Sequence, residues 1–202
     1  MFKNSHELWF KLALRRILGA SQKNHYNQAR RICFERASSD YPQQASAFFI
    51  KALRNENADA FCALGIHYDS LGEFTPKLQS QYKQFSKFCF KLAAKKGHPF
   101  AQTLTWDEPF QPDLDISHVI DHFKWPQKIP YQATSICDKP HILKCEKIIT
   151  DLEIQYLQFL AKNQYALTQV YSEKGTHYSF ERTCAGVFFE SKLFDLVAAW
   201  FD

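Results

Sequence analysis

The feature that most limits what this chain can fold into is a stretch written twice. Lys51-Ala52-Leu53 is followed seven residues later by Ala60, and Leu92-Ala93-Ala94 is followed seven residues later by Ala101. Aromatic residues precede both copies, as Phe48-Phe49 in the first and Phe88-Cys89-Phe90 in the second. Self-similarity of this kind marks stacked supersecondary units, each burying its apolar face against its neighbour. Alanine at the repeated positions lets helices approach closely, and the aromatics fill the groove between them.

The surrounding periodicity agrees. Through the first hundred residues apolar side chains recur at three and four, while Pro and, apart from Gly65, Gly fall at the ends of the runs. Helices are expected at about Leu8 to Leu18, Tyr26 to Ala37, Gln44 to Leu53, Ala58 to Leu71 and Gln81 to Lys95. The fold class expected is therefore mostly α: a helical-hairpin array over residues 1–102, with a small, incomplete α+β unit over 140–202. Between them, residues 103–139 carry Pro109, Pro112, Pro126 and Pro130 together with Trp106, Phe110, Phe123 and Trp125. Prolines interrupt long helices and large aromatics need burial, so this stretch is expected to be an ordered connector packed on the array, with one short helix near Ile116 to Phe123.

Composition narrows the function classes. Apolar residues make up 46% of the chain, enough for a buried core and too many for a disordered one. No run approaches the roughly 18 uninterrupted apolar residues of a membrane span, so no membrane partner is expected. Glu7, Lys11, Arg15 and Arg16 break the apolar pattern of the first twenty residues, which excludes a clean secretory signal and leaves an amphipathic mitochondrial presequence as the alternative. The net charge is only +4 and has no like-charged block, so no nucleic-acid partner is expected; Arg30-Arg31 and Lys95-Lys96 read as solvated helix faces. Six cysteines at 33, 62, 89, 137, 145 and 184 include no Cys-x-x-Cys. Reduced thiols in a cytoplasmic protein are the simplest expectation.

Residues 60–101 carry a fuller signature: Ala60, Leu64-Gly65, Tyr68 and Gly72, then Ala93-Ala94, Gly97 and Ala101. This resembles the Sel-like subclass of tetratricopeptide repeats, with a few extra residues around Thr75 to Leu78. The preceding unit, Ala29 to Ala60, is degenerate and has Cys33-Phe34 in place of the Leu-Gly pair. The resemblance implies a platform that binds a protein or peptide partner through stacked helical hairpins.

The last sixty residues read as strand, helix, strand, turn and strand. Pro140 to Ile149 looks extended, and Thr150-Asp-Leu-Glu153 is a capping-box signature opening a helix to about Lys162. Strands at Leu167 to Tyr171 and Arg182 to Phe189, with a turn at Lys174-Gly175 between them, follow, then a final amphipathic helix from near Ser191. Arg182-Thr183-Cys184-Ala185-Gly186-Val187-Phe188, with Ile149 to Leu157 before it, is similar to the N-terminal portion of prolyl 4-hydroxylase-like, iron- and 2-oxoglutarate-dependent dioxygenases. That resemblance implies the opening part of a double-stranded β-helix and gives Arg182 and Cys184 a place along a peptide-substrate groove, although a thiol is a poorer hydrogen-bonding group than the family's serine. The family's His-x-Asp pair, distant His and 2-oxoglutarate-binding cation all follow the Arg-Thr strand. No His-x-Asp is expected anywhere in the chain, which is therefore expected to lack the iron site and to be inactive alone. Fe(II), 2-oxoglutarate and ascorbate are thus implied only for a full-length homologue, whose missing half, or another subunit, would cover the terminal apolar residues. The alternative is a non-catalytic interaction module.

Two further groupings have ligand-like spacing. His118, Asp121 and His122 share a helical face if that segment is helical, and Cys137, His141 and Cys145 are spaced by four. The first reads better as a polar connector face, and the second lacks a fourth ligand.

Overall fold

A computed structural model describes residues 25–35, 39–105, 114–125, 133–145, 149–162, 166–167, 169–172, 175–178, 185–186 and 197. It is mostly helical. Helices α1 (His25–Glu35) and α2 (Tyr41–Arg54) pack as one hairpin; α3 (Ala58–Phe74) and α4 (Gln79–Lys95) form a second, closed by the short 3-10 turn Pro76–Leu78. A short α5 (Pro99–Thr103) follows, then α6 (Ile116–Asp121) and α7 (Asp151–Ala161).

The ends of the two hairpins are built alike. At the end of α2, Asn57 N–H donates to Ala52 O (3.1 Å) and Glu56 N–H to Leu53 O (2.9 Å), with Glu56 in the left-handed region at φ 55°. At the end of α4, His98 N–H donates to Ala93 O (2.9 Å) and Gly97 N–H to Ala94 O (3.0 Å), with Gly97 at φ 87°. Both ends are Schellman motifs, which satisfy carbonyls that a helix terminus leaves unpaired. In each, the last residue of the motif then caps the next helix. Asn57 Oδ1 accepts from Ala60 N–H (2.8 Å), and His98 Nδ1 accepts from Ala101 N–H (3.4 Å). Glu56, Asn57 and Ala60 thus stand to Gly97, His98 and Ala101 at one constant offset.

Helix α3 is the centre of the molecule, with Ala60 to Asp69 buried without a break. Its contact with α4 is close because Gly65 lies under Phe90: a Cβ built on Gly65 would sit 3.0 Å from that fully buried ring. Tyr26, Ala29 and Cys33 of α1 join Ala45 and Phe49 of α2 in the same core.

The connector is packed on this core. Phe123 meets Phe49 (ring centroids 5.0 Å) and His67 (5.3 Å), Val119 is fully buried, and Tyr68 Oη donates to Val119 O at 2.6 Å. Helix α7 docks elsewhere, with Tyr156 and Phe159 against Phe100 of α5 (5.0 and 5.4 Å). Its capping box is formed as the sequence predicts: Glu153 N–H donates to Thr150 Oγ1 (3.2 Å), and Thr150 N–H donates to Glu153 Oε2 (2.7 Å).

Three two-stranded antiparallel sheets occur among the described residues: β1 (Ala133–Asp138) with β2 (His141–Cys145), β3 (Ala166–Leu167) with β6 (Ala185–Gly186), and β4 (Gln169–Ser172) with β5 (Gly175–Tyr178). The β1–β2 pair departs from the sequence expectation, which places 133–138 within the connector. Almost every position of it that is described is exposed, so the strand lacks the apolar alternation by which one is recognised. The helix expected at Leu8 to Leu18 lies outside the described residues. Of the expected strand at Arg182 to Phe189, only Ala185–Gly186 is described.

Candidate functional site

A cleft opens where the two hairpins meet the connector. Leu53 and Phe61 approach it from either side of the Asn57 junction. Phe88 and Leu92, one helical turn apart on α4, supply a second wall; Ile116 and Ile120, one turn apart on α6, supply the third. This partly open cleft has a volume of about 460 Å3, within the range of sites for small molecules or single large side chains. Charged groups stand on its rim. Lys96 is paired with Glu56, and Asp115 Oδ1 accepts from Ser117 N–H (3.2 Å) to cap α6. Arg54 and Asp121 line the cleft from opposite elements, and among the described residues neither makes an ion pair. The arrangement can hold an apolar side chain while offering a cation and a carboxylate to the backbone or flanking groups that carry it.

Outside the cleft lies a set of buried and half-buried polar residues. His67 is enclosed by Tyr68 and Phe123, and burial pushes its pKa down to about 4 despite a ring N–H donated to the Lys124 backbone. Burial also raises Tyr68 far above the usual phenol range, so its hydroxyl stays a donor to Val119. Lys83 bridges Asp69 (2.9 Å) and Glu73 (2.7 Å); burial opposes its charge, but the two carboxylates prevail and raise its pKa. Burial likewise raises Glu153, against the hydrogen bonds it receives from Thr150 and Ser70. These groups join α3 to its neighbours, and none opens into the cleft.

Arg182 and Cys184, the residues with an implied place in a substrate groove, lie outside the described residues. His118 and His122 do come together, with ring centroids 4.4 Å apart over Phe85. Asp121 does not join them, since it lines the cleft beside Ile120. Cys137 donates to Lys139 O (3.4 Å) and His141 is exposed. Among the described residues no three His, Cys, Asp or Glu side chains cluster. Cys33, Cys62 and Cys89 are buried, and burial holds the Cys89 thiol well above its ordinary range, the opposite of an activated nucleophile.

The sequence does carry one His-x-Asp, His67-Tyr68-Asp69, which corrects the expectation that the triplet is absent. It is not an iron site. It sits within α3, where residues two apart point to nearly opposite sides of the helix, and its ends are committed elsewhere. His67 faces Phe123 and the Lys124 backbone, whereas Asp69 holds Lys83. The described residues therefore do not fit the iron of a 2-oxoglutarate dioxygenase.

The cleft is not legible as a site in the sequence. Each of its apolar residues reads as core by periodicity, and only the fold brings α2, α4 and α6 to one opening. Among the described residues, no helix is long and apolar enough to cross a membrane. No protein-family model, no curated protein and no solved structure matches the chain.

Proposed function

We propose that the chain is a protein-binding scaffold of the Sel-like, tetratricopeptide type. One observation carries the reading: the Schellman ends and shared caps at Glu56-Asn57 and Gly97-His98 recur at one offset, as the joints of a helical-repeat array would. Support also comes from the signature residues, because Ala60, Ala93 and Ala101 are buried and Gly65 lies against the Phe90 ring. Arrays of this kind bind partners in the grooves between repeats and their flanking segments. The cleft beside the first joint is such a groove. Peptides selected from a random library on the purified chain are expected to lose binding to the variants Arg54→Glu and Leu92→Asp, measured by fluorescence polarisation. Peptides that bind those variants undiminished, or a library that yields none, would overturn the reading.

A second reading is that residues 140–202 are the opening part of a prolyl 4-hydroxylase-like domain. It rests on the succession β2, capped α7, the β4–β5 hairpin and β6, which follows the order that the resemblance implies. In this reading the iron ligands come from sequence other than these residues, and this chain alone converts no 2-oxoglutarate to succinate in the presence of Fe(II). Turnover by the purified chain would refute that assignment of the ligands. The intact mass of the polypeptide from its native source would show whether further sequence is attached.

A further inference from the structure

We infer that His118 and His122 form a two-imidazole site for a divalent transition metal of the borderline class, Zn2+ or Cu2+. Both rings are exposed on the flank of α6 away from the cleft, one helical turn apart, with centroids separated by 4.4 Å. Each packs edgewise on Phe85, at 5.6 and 5.5 Å, so that the apolar ring of α4 restrains the pair from beneath.

The hydrogen bonding selects the chemistry. His122 Nδ1 lies 2.8 Å from His118 O, and a backbone carbonyl only accepts, so this nitrogen carries the proton. The neutral ring then bears its lone pair on Nε2. Imidazoles that bind metals are commonly oriented in this way, by donating the other ring N–H to a carbonyl. Among the described residues, no protein hydrogen bond occupies the ring of His118. Two imidazole nitrogens suit Zn2+, Cu2+ or Ni2+ and not the oxygen-seeking Mg2+ or Ca2+. Water fills the remaining positions, because Asp121 is turned to the cleft and, among the described residues, no third ligand clusters with the pair.

Calorimetric titration of the purified full chain with Zn2+ should show saturable binding of one ion, with no comparable heat from Mg2+. His118→Gln and His122→Gln should each weaken it tenfold or more, while Asp121→Asn leaves it unchanged. Absence of saturable binding would overturn the inference, as would retention of affinity by the double histidine variant or an equal loss in Asp121→Asn. Electron paramagnetic resonance of the wild-type chain with Cu2+ gives a check that needs no variant. Two imidazole nitrogens are expected, and a spectrum with one nitrogen or with sulfur ligation would sink the site.

Discussion

At the scale of single residues, His67 and the two joint positions have the clearest consequences. His67 is neutral in the fold with a pKa of about 4, against about 6.5 in an unfolded chain. Between those values the unfolded chain binds the extra proton, so stability must fall as pH drops from about 6.5 to 4 and stay level below. The loss is on the order of 3 kcal/mol. Urea unfolding at pH 7.5 and pH 4.5 should show it, and His67→Gln should flatten that part of the profile. His98, also lowered by burial, adds to the slope with the same sign. The joints predict a contrast. Gly97 has φ 87°, and a methyl added there would meet nothing within 4 Å, so Gly97→Ala costs about 1 kcal/mol through the backbone alone. Glu56 occupies the equivalent conformation with a side chain, so Glu56→Gly should raise the melting temperature although it forfeits the exposed pair with Lys96. Thermal unfolding followed by circular dichroism reads both, and opposite signs are expected.

Among elements, the α3–α4 contact is the one most exposed to a small change. Alanine favours a helix interior by about 1 kcal/mol over glycine. At Gly65 that gain is expected to be outweighed, because the added methyl meets the fully buried Phe90 ring at 3.0 Å. Overpacking of this kind costs about 1–3 kcal/mol. Gly65→Ala should lower the urea midpoint, and Phe90→Leu in the same chain should recover part of the loss; a Gly65→Ala variant as stable as the parent would show that the helices are free to shift. The helices are also the elements most readable in the sequence. The expected spans Ala58 to Leu71 and Gln81 to Lys95 fall within a few residues of α3 and α4, and Thr150 and Glu153 announce the start of α7, because period and caps are local signals. Strand β1 is not readable, since its side chains face water and carry no burial pattern. The cleft is beyond reach for another reason: Leu53, Phe88 and Ile120 are far apart in sequence, and nothing in any one helix says which of its apolar residues remain at an opening.

For the molecule as a whole, the connector determines how far the two hairpins behave as one body. Residues 114–125 touch α2 through Phe49, α3 through His67 and Tyr68, and α4 through Phe85. Tyr68→Phe removes the donor to the buried Val119 carbonyl, at a cost of about 1–3 kcal/mol for leaving it unsatisfied. Amide hydrogen exchange should then quicken through 114–125 and along the facing turn of α3. Unchanged protection there would mean that Phe123 and Val119 suffice to hold the segment.

The shared joints lend themselves to construction. A residue that both closes one helix and caps the next, as Asn57 and His98 do, makes the α3–α4 hairpin begin and end in the same local geometry. Residues 57–97 are thus bounded by one geometry at both ends, and a tandem copy of them would meet the original through a final glycine leading into the next cap.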